Sequence, residues 1–482
     1  MIDWVAAHLF LATGALVLAA AAVAVTHALL YKEEVRAAIA WVGLILLVPL
    51  LGSVLYYLIG INRIRRRAVA LRRETERTAL PHAPAGMSPA AIAARLENNE
   101  EAAELAHLVG RLTKRPLLPG NRVRALSNGD EAYPAMLRAI RGAEKSIALL
   151  TYIFDSDSAG NDFIEALGEA HSRGVEVRVL IDAVGARYSR PRSHYLLRRK
   201  GVPADLFLST FSTRLPSFNL RNHRKILVVD GRLGFTGGMN IREGFVIGKN
   251  PRHPGRDLHF EVEGPVVRHL QEVFAEDWEF TTGEALWGSA WFPPVETAGE
   301  SIARGIPDGP DDDIDTLNFT LLGAIASATK SIRVVTPYFL PDPPLVYALN
   351  TAALCGLEVD LVVPEAGNLP LVTWAMWGQI SQVLAHGCRV FLTPKTPFDH
   401  SKLMVIDDYW VLFGSTNWDP RSLRLNFEFD VECYDKELAR AMHAEVDERI
   451  ARARRLTLEE LGKRSLPRRF RDGAARLLTP YL

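Results

Sequence analysis

The chain has 482 residues, enough for two or three folding units and a sizeable core. Its 56 Lys and Arg balance 56 Asp and Glu, which argues against the uniformly basic surface of a dedicated nucleic-acid binder. Cys355, Cys388 and Cys433 are scattered without C-x-x-C spacing, so neither a zinc site nor a disulfide framework is expected, and all three read as buried apolar residues.

Residues 4–30 and 37–59 contain no Asp, Glu, Lys or Arg. As helices they reach about 40 Å and about 35 Å, each enough to cross a hydrocarbon core of roughly 30 Å. They predict a transmembrane helical hairpin over 1–62. Met1-Ile2-Asp3 lacks the basic start of a cleaved signal, and the second run follows almost at once. Arg63, Arg65, Arg66, Arg67, Arg72 and Arg73 outweigh the connection, where Lys32 and Arg36 stand beside Glu33 and Glu34. The positive-inside rule then places the rest of the chain in the cytoplasm, and the same arginines suit anionic headgroups.

Residues 63–117, interrupted by Pro81-His82-Ala83-Pro84, read as a basic and helical linker. Beyond them β-branched apolar stretches (146–154, 175–181) alternate with helical ones (131–143, 161–173), an α/β rhythm. The rhythm is duplicated: SIALLTYIFDSD at Ser146 matches SIRVVTPYFLPD at Ser331, and GVEVRVLID at Gly174 matches GLEVDLVVP at Gly356. Two α/β lobes are therefore expected, at 118–302 and 316–482, with the acidic Gly- and Pro-containing stretch 303–315 as linker.

Each lobe carries one composite motif: His223, Lys225, Asp230, Gly237, Gly238 and Asn240, then His400, Lys402, Asp407, Gly414, Ser415 and Asn417, with identical spacing. RKILVVD and SKLMVID are strand patterns, in which each His and Lys would point to one side and each Asp to the other, where a structural role is favoured. Asn240 and Asn417 follow small-residue turns that let backbone and amide approach an anion, here a bound substrate. Two imidazoles, two ammonium groups and two amides suit a phosphodiester: the lysines neutralise nonbridging oxygens, and the imidazoles divide the tasks of nucleophile and acid. No cluster with metal-ligand spacing accompanies the motifs, so no metal or other cofactor is expected.

The paired H-x-K-x4-D motifs resemble those of the phospholipase D superfamily. Pro49-x-x-Gly52-x-x-x-Tyr56-x-x-x-Gly60, TYIFDSD, TPYFLPD, GFTGGMNI, DPRSLRLNFE and the ending Leu477-Leu478-Thr479-Pro480-Tyr481-Leu482 are similar to its bacterial cardiolipin synthase branch over nearly the whole chain. The resemblance implies two duplicated phospholipase D-like α/β lobes, each a sheet flanked by helices, behind the two-helix hairpin. It implies His223, Lys225, Asp230, His400, Lys402 and Asp407 as the catalytic set, with a phosphohistidine on His223 and His400 as acid and then base. It also implies an acidic residue that fixes each imidazole, matched by Asp257 in RDLHFEVEG and Glu428 in RLNFEFD, without saying which serves which. Phosphatidylglycerol in an anionic inner membrane is the implied partner, joined to a second copy with release of glycerol; no nucleic-acid partner is expected.

Water in place of the second lipid gives the nearest rival, a hydrolase. A nuclease is disfavoured by neutral charge and by the hairpin, and an inert lipid-binding scaffold by two intact motifs. Leu206, Phe207, Leu208, Phe211, Leu215 and Phe218 read either as packed core or as a loop touching lipid, and Trp374, Met376 and Trp377 as helix packing rather than acyl-chain contact.

Overall fold

The computed structural model describes residues 2–32, 35–60, 86–97, 99–208, 220–310 and 315–479. The arginine cluster, the Pro81 to Pro84 break, Glu33 and Glu34, Phe211, Leu215 and Phe218, and the last three residues lie outside them. Two compact units are described, an N-terminal one and one holding both lobes.

In the N-terminal unit α1 spans Ile2–Tyr31, and its segment His8–Tyr31, with mean hydropathy 2.3, is long and apolar enough to cross a membrane. The second apolar run is not one helix. It divides into α2 (Val35–Leu47), α3 (Pro49–Leu55) and a π-helical turn at Tyr56–Gly60. The break falls on Val48 (φ −136°, ψ 77°), because Pro49 disfavours helical geometry in the residue before it. Ala21, Ala24 and Ala28 pack against Ile45 and Tyr56, and the Tyr56 hydroxyl lies 2.8 Å from His27 Nδ1.

The larger unit is built on one extended sheet. Its first half contributes β1 (Leu118–Ser127), β2 (Ser146–Thr151), β3 (Glu176–Asp182), β4 (Ala204–Phe207), β5 (Arg221–Asn222), β6 (Ile226–Val229), β7 (Leu233–Gly237), β8 (Gly255–Arg256) and β9 (Leu258–Glu263). The second contributes β10 (Ser301–Asp308), β11 (Ser331–Val335), β12 (Glu358–Pro364), β13 (Arg389–Thr393), β14 (Phe398–Asp399), β15 (Leu403–Ile406), β16 (Trp410–Gly414), β17 (Asn426–Tyr434) and β18 (Arg454–Leu456). The order β9-β7-β6-β2-β3-β4 is repeated as β17-β16-β15-β11-β12-β13, and antiparallel β1 and β10 join the two at the centre. Parallel pairing of β2 with β3 and β11 with β12 needs helical crossovers, which explains the alternation seen in the sequence.

Two stretches and one cysteine differ from expectation. Residues 303–308, the first part of the expected linker, belong to the buried strand β10, whose Arg304 pairs with Glu432 and whose Gly305 N–H donates to His269 Nδ1. Gly and Pro there mimic a loop, but both faces of the strand are covered. The expected linker before the lobes contains helix Glu100–Thr113, whose Ala102, Leu105, Ala106 and Val109 recur at helical spacing and enter the core with Leu317 and Leu321. Cys355, expected buried with Cys388 and Cys433, is exposed at a helix C-cap. Phe207 is core, in ring contact with Phe280 and Phe427, and Trp374 and Trp377 pack beside buried Met376, as helix packing requires.

Each motif is also positioned differently from the strand pattern. His223 and Lys225 precede β6, and His400 and Lys402 precede β15. Asp230 and Asp407 stand at the far ends of those strands in left-handed conformation (φ 52° and 47°). Asp230 accepts from the backbone N–H groups of Glu144, Lys145 and Ser146, and Asp407 from those of Thr329, Lys330 and Ser331. Both carboxylates fasten the turn entering β2 or β11, the structural role that the strand pattern favours over the catalytic one implied by the resemblance. Asp407→Ala should strand three backbone donors and lower stability by about 2–4 kcal/mol, seen as a reduced unfolding midpoint in detergent, while folded protein keeps its activity.

Candidate active site

The residues before each histidine cross to the other half. β5 pairs in parallel with the start of β17, and His223 N–H donates to Phe427 O at 2.9 Å. β14 pairs in parallel with β8, and His400 N–H donates to Arg256 O at 2.7 Å. Each imidazole is thereby set beside a carboxylate of the opposite half. His223 Nδ1 lies 2.9 Å from Glu428 Oε2, and His400 Nδ1 lies 2.8 Å from Asp257 Oδ2. The sequence left the pairing open; the strand crossing decides it.

Buried ion pairs hold both crossings. Arg224 is fully buried, reaches Asp277 with two contacts of 2.8 Å and donates to Glu428 O at 2.9 Å. In the other half the polarity is reversed: Arg449, on helix Lys436–Arg452, donates to Asp399 at 2.9 Å and to Ser401 at 3.1 Å. Removing either partner would leave a buried charge uncompensated.

The carboxylates are themselves held. Asp257 accepts from Leu258 N–H at 2.8 Å, and a Cβ on Gly238 would lie 2.4 Å from its Oδ1, so glycine is required for that approach. Ser415 replaces that glycine in the second half and donates its hydroxyl to Glu428, which also accepts from Asn426 at 3.1 Å. One further position breaks the symmetry. Gly237 pairs with His259 and Gly414 with Asp430, so a neutral imidazole stands where the other half has a carboxylate.

Both histidines line one cleft of about 730 Å³, with Asn240, Asn417, Tyr152, Tyr338, Arg221, Arg242 and Arg421. Asn240 Oδ1 accepts from Ile153 N–H at 3.1 Å; Asn417 donates to Ser422 at 3.1 Å, and its buried Oδ1 has no partner among the described residues. The Tyr152 ring meets His223 edge-on at 5.2 Å and that of Tyr338 meets His400 at 6.3 Å. Lys225 Nζ donates to His223 O at 2.5 Å, and Lys402 Nζ donates to His400 O and lies 3.0 Å from His400 Nδ1. With Nδ1–H given to Asp257, that ammonium acts on the ring as a charge rather than as a donor.

Burial dominates the electrostatics of the cleft. Burial, then the two lysines, holds both imidazoles well below their usual range. Burial lowers Lys225 to about 7 and Lys402 to about 8, and raises Asp257 and Glu428 to about 7. A bound phosphodiester supplies negative charge that favours every protonated form. Anion binding should therefore take up protons and weaken as pH rises above neutrality. Calorimetry of dimethyl phosphate binding, a diester that does not itself titrate near neutrality, in buffers of different ionisation enthalpy checks this, and proton release would contradict it.

The sequence reading named Ser415 only as part of a small-residue turn and missed roles for Arg224, Asp277, Asp430 and the two tyrosines. Asp430 was legible as the partner of His259 when RDLH is set against LNFEFD; the ion pairs were not, because Asp277 and Arg449 lie on distant helices.

Two duplicated α/β lobes closing on one cleft, with a crossed His–carboxylate pair at its floor, define the two-lobed phospholipase D-like class. The family model described as "Cardiolipin synthase, PLD-like domain" matches residues 136–278 and 321–450, and "Phospholipase_D-nuclease N-terminal" matches 15–60. Cardiolipin synthase 2 of Staphylococcus epidermidis is 31% identical over 454 residues, covering 92% of each chain. Cardiolipin synthase 1 of Bacillus cereus is 29% identical over 457 residues, 93% of this chain and 89% of that one. In fold, phosphatidylserine synthase of Haemophilus influenzae superposes with TM-score 0.62 at 17% identity, over 79% of this chain and all of the other. The chain belongs to the cardiolipin synthase branch of the phospholipase D-like family.

Proposed function

We propose that the chain is a phosphatidyltransferase that joins two phosphatidylglycerols into cardiolipin and releases glycerol. The observation that carries this reading is the pair of imidazoles in one cleft, each engaged through Nδ1 by a carboxylate, which leaves each Nε2 for chemistry. Neutral His223 attacks the phosphorus through Nε2 while His400, protonated in the presence of the substrate anion, gives its proton to the departing glycerol oxygen. The P–O bond breaks and a phosphatidyl group remains on His223. His400 then removes the proton from the hydroxyl of a second phosphatidylglycerol, whose oxygen attacks phosphorus and breaks the P–N bond.

Lys225 and Lys402 would neutralise the nonbridging oxygens, with the amides of Asn240 and Asn417 beside them. The asymmetry favours this division of labour. Asp430, which accepts from Thr416, is coupled to Lys402, whereas neutral His259 is the corresponding neighbour of Lys225. Burial raises Asp430 to about 7, so when ionised it adds a negative charge to the half that must hold the proton. The apolar N-terminal helix supports membrane association, and α2 and α3 would complete a hairpin that leaves both lobes in the cytoplasm of a bacterial inner membrane.

Purified protein incubated with phosphatidylglycerol vesicles should yield cardiolipin and glycerol in equal amounts by mass spectrometry. His223→Ala and His400→Ala should each lower transfer by at least about a thousandfold, and their combination should add little, because groups acting as a unit are not additive. Phosphatidic acid as the main product would replace transfer by hydrolysis, and two half-active single variants would mean independent sites.

A further inference from the structure

The last described helix, Leu466–Arg476, leaves an apolar stripe outside. Its one acid faces the protein: Asp472 is buried and paired with Arg464, just before the helix, and with Arg471. Those two guanidinium groups lie over the Trp377 and Trp374 rings at 4.1 and 4.6 Å. Contact with helix Pro370–Gln379 is close enough that a Cβ on Gly378 would lie 2.7 Å from Asp472 O. Its apolar side faces outward. Leu466, Phe470, Gly473, Ala474 and Leu477 recur at i, i+4, i+7, i+8 and i+11, one helical face. Leu466, Phe470 and Leu477 are 77%, 81% and 80% exposed.

An apolar helix face usually turns to the core, because burial of each large side chain is worth roughly 1.5–3 kcal/mol. Here the fold seats the arginines on tryptophans and leaves the apolar stripe to solvent. From Lys463 to Leu478 there are six basic side chains against the single acid Asp472, which is already paired within the protein. Exposed Arg468, Arg469 and Arg476 accompany the stripe. Arginines beside an exposed Leu and Phe face are the composition of a helix lying in an anionic lipid interface. The supporting helix also reaches the active site: Leu369 and Val372, at its start, line the cleft, and Leu369 and Leu371 are half-exposed.

We propose that Leu466–Arg476 is an interfacial docking helix that seats this lobe on an anionic phospholipid surface and brings the cleft mouth to the lipid. The proposal deepens the transfer reading by naming how a lipid headgroup is presented to the buried histidines. A water-filled gap between cleft and bilayer would otherwise require the whole lipid to be drawn out.

Spin labels placed one at a time, at Phe470→Cys in one variant and at Leu477→Cys in another, each in a Cys355→Ser background of the full chain, test it. In phosphatidylglycerol-rich nanodiscs both labels should be more accessible to oxygen than to a water-soluble nickel chelate, with a ratio at least about fivefold above that in phosphatidylcholine nanodiscs. Chelate-accessible labels in both lipids, or equal insertion in the two, would overturn the proposal. Dipolar broadening between labels would also overturn it, since it would mean a second copy of the chain on the stripe. The readout needs no turnover, so its failure is separate from failure of the transferase reading.

Discussion

The structure depends on the hydrogen bond each half makes to the other half's histidine. A histidine held only by its own lobe would be oriented whether or not the second lobe was present. Here His223 is held by Glu428 and His400 by Asp257, so neither half-site is complete alone. The central strands β1 and β10 make the sheet continuous, and the short parallel pairings of β5 with β17 and β8 with β14 place each backbone before its imidazole arrives. Buried Arg224–Asp277 and Arg449–Asp399 lock those crossings.

Two lysines and two imidazoles are buried against two carboxylates whose own ionisation is disfavoured by burial. In the proposed transfer a phosphodiester would relieve that imbalance, and the positive charge would then serve the transition state as fixed, preorganised stabilisation. Small departures from symmetry let identical motifs take unequal tasks: Ser415 opposite Gly238, and Asp430 opposite His259.

Much of this was legible in the sequence because duplication doubles every signal. The paired His, Lys and Asn positions and the α/β rhythm could be found by setting one half against the other, and the family resemblance pointed to the two candidate carboxylates. The crossing could not, since the two-residue strands β5, β8 and β14 carry no periodicity of their own. Spacing favoured a structural role for the motif aspartates without showing its form. Placing Asp230 and Asp407 five residues beyond each lysine says nothing of the left-handed turn that aims them at backbone donors. Composition misled at β10, where Gly305 and Pro307 resemble a linker but lie in the most central part of the sheet. At Val48 a proline divided what hydropathy read as one helix.

The central claim is that Glu428 serves the nucleophile and Asp257 the acid. A phosphodiester with a nitrophenolate leaving group needs little protonation, so it separates the two roles during formation of the covalent intermediate. Rapid-quench trapping with this donor should show that Asp257→Asn forms phosphoryl-His223 at nearly the normal rate and then accumulates it, because deprotonation of the acceptor by His400 is impaired. Glu428→Gln should form it slowly and accumulate none. The reverse pattern, or equal slowing of formation in both variants, would contradict the crossed assignment.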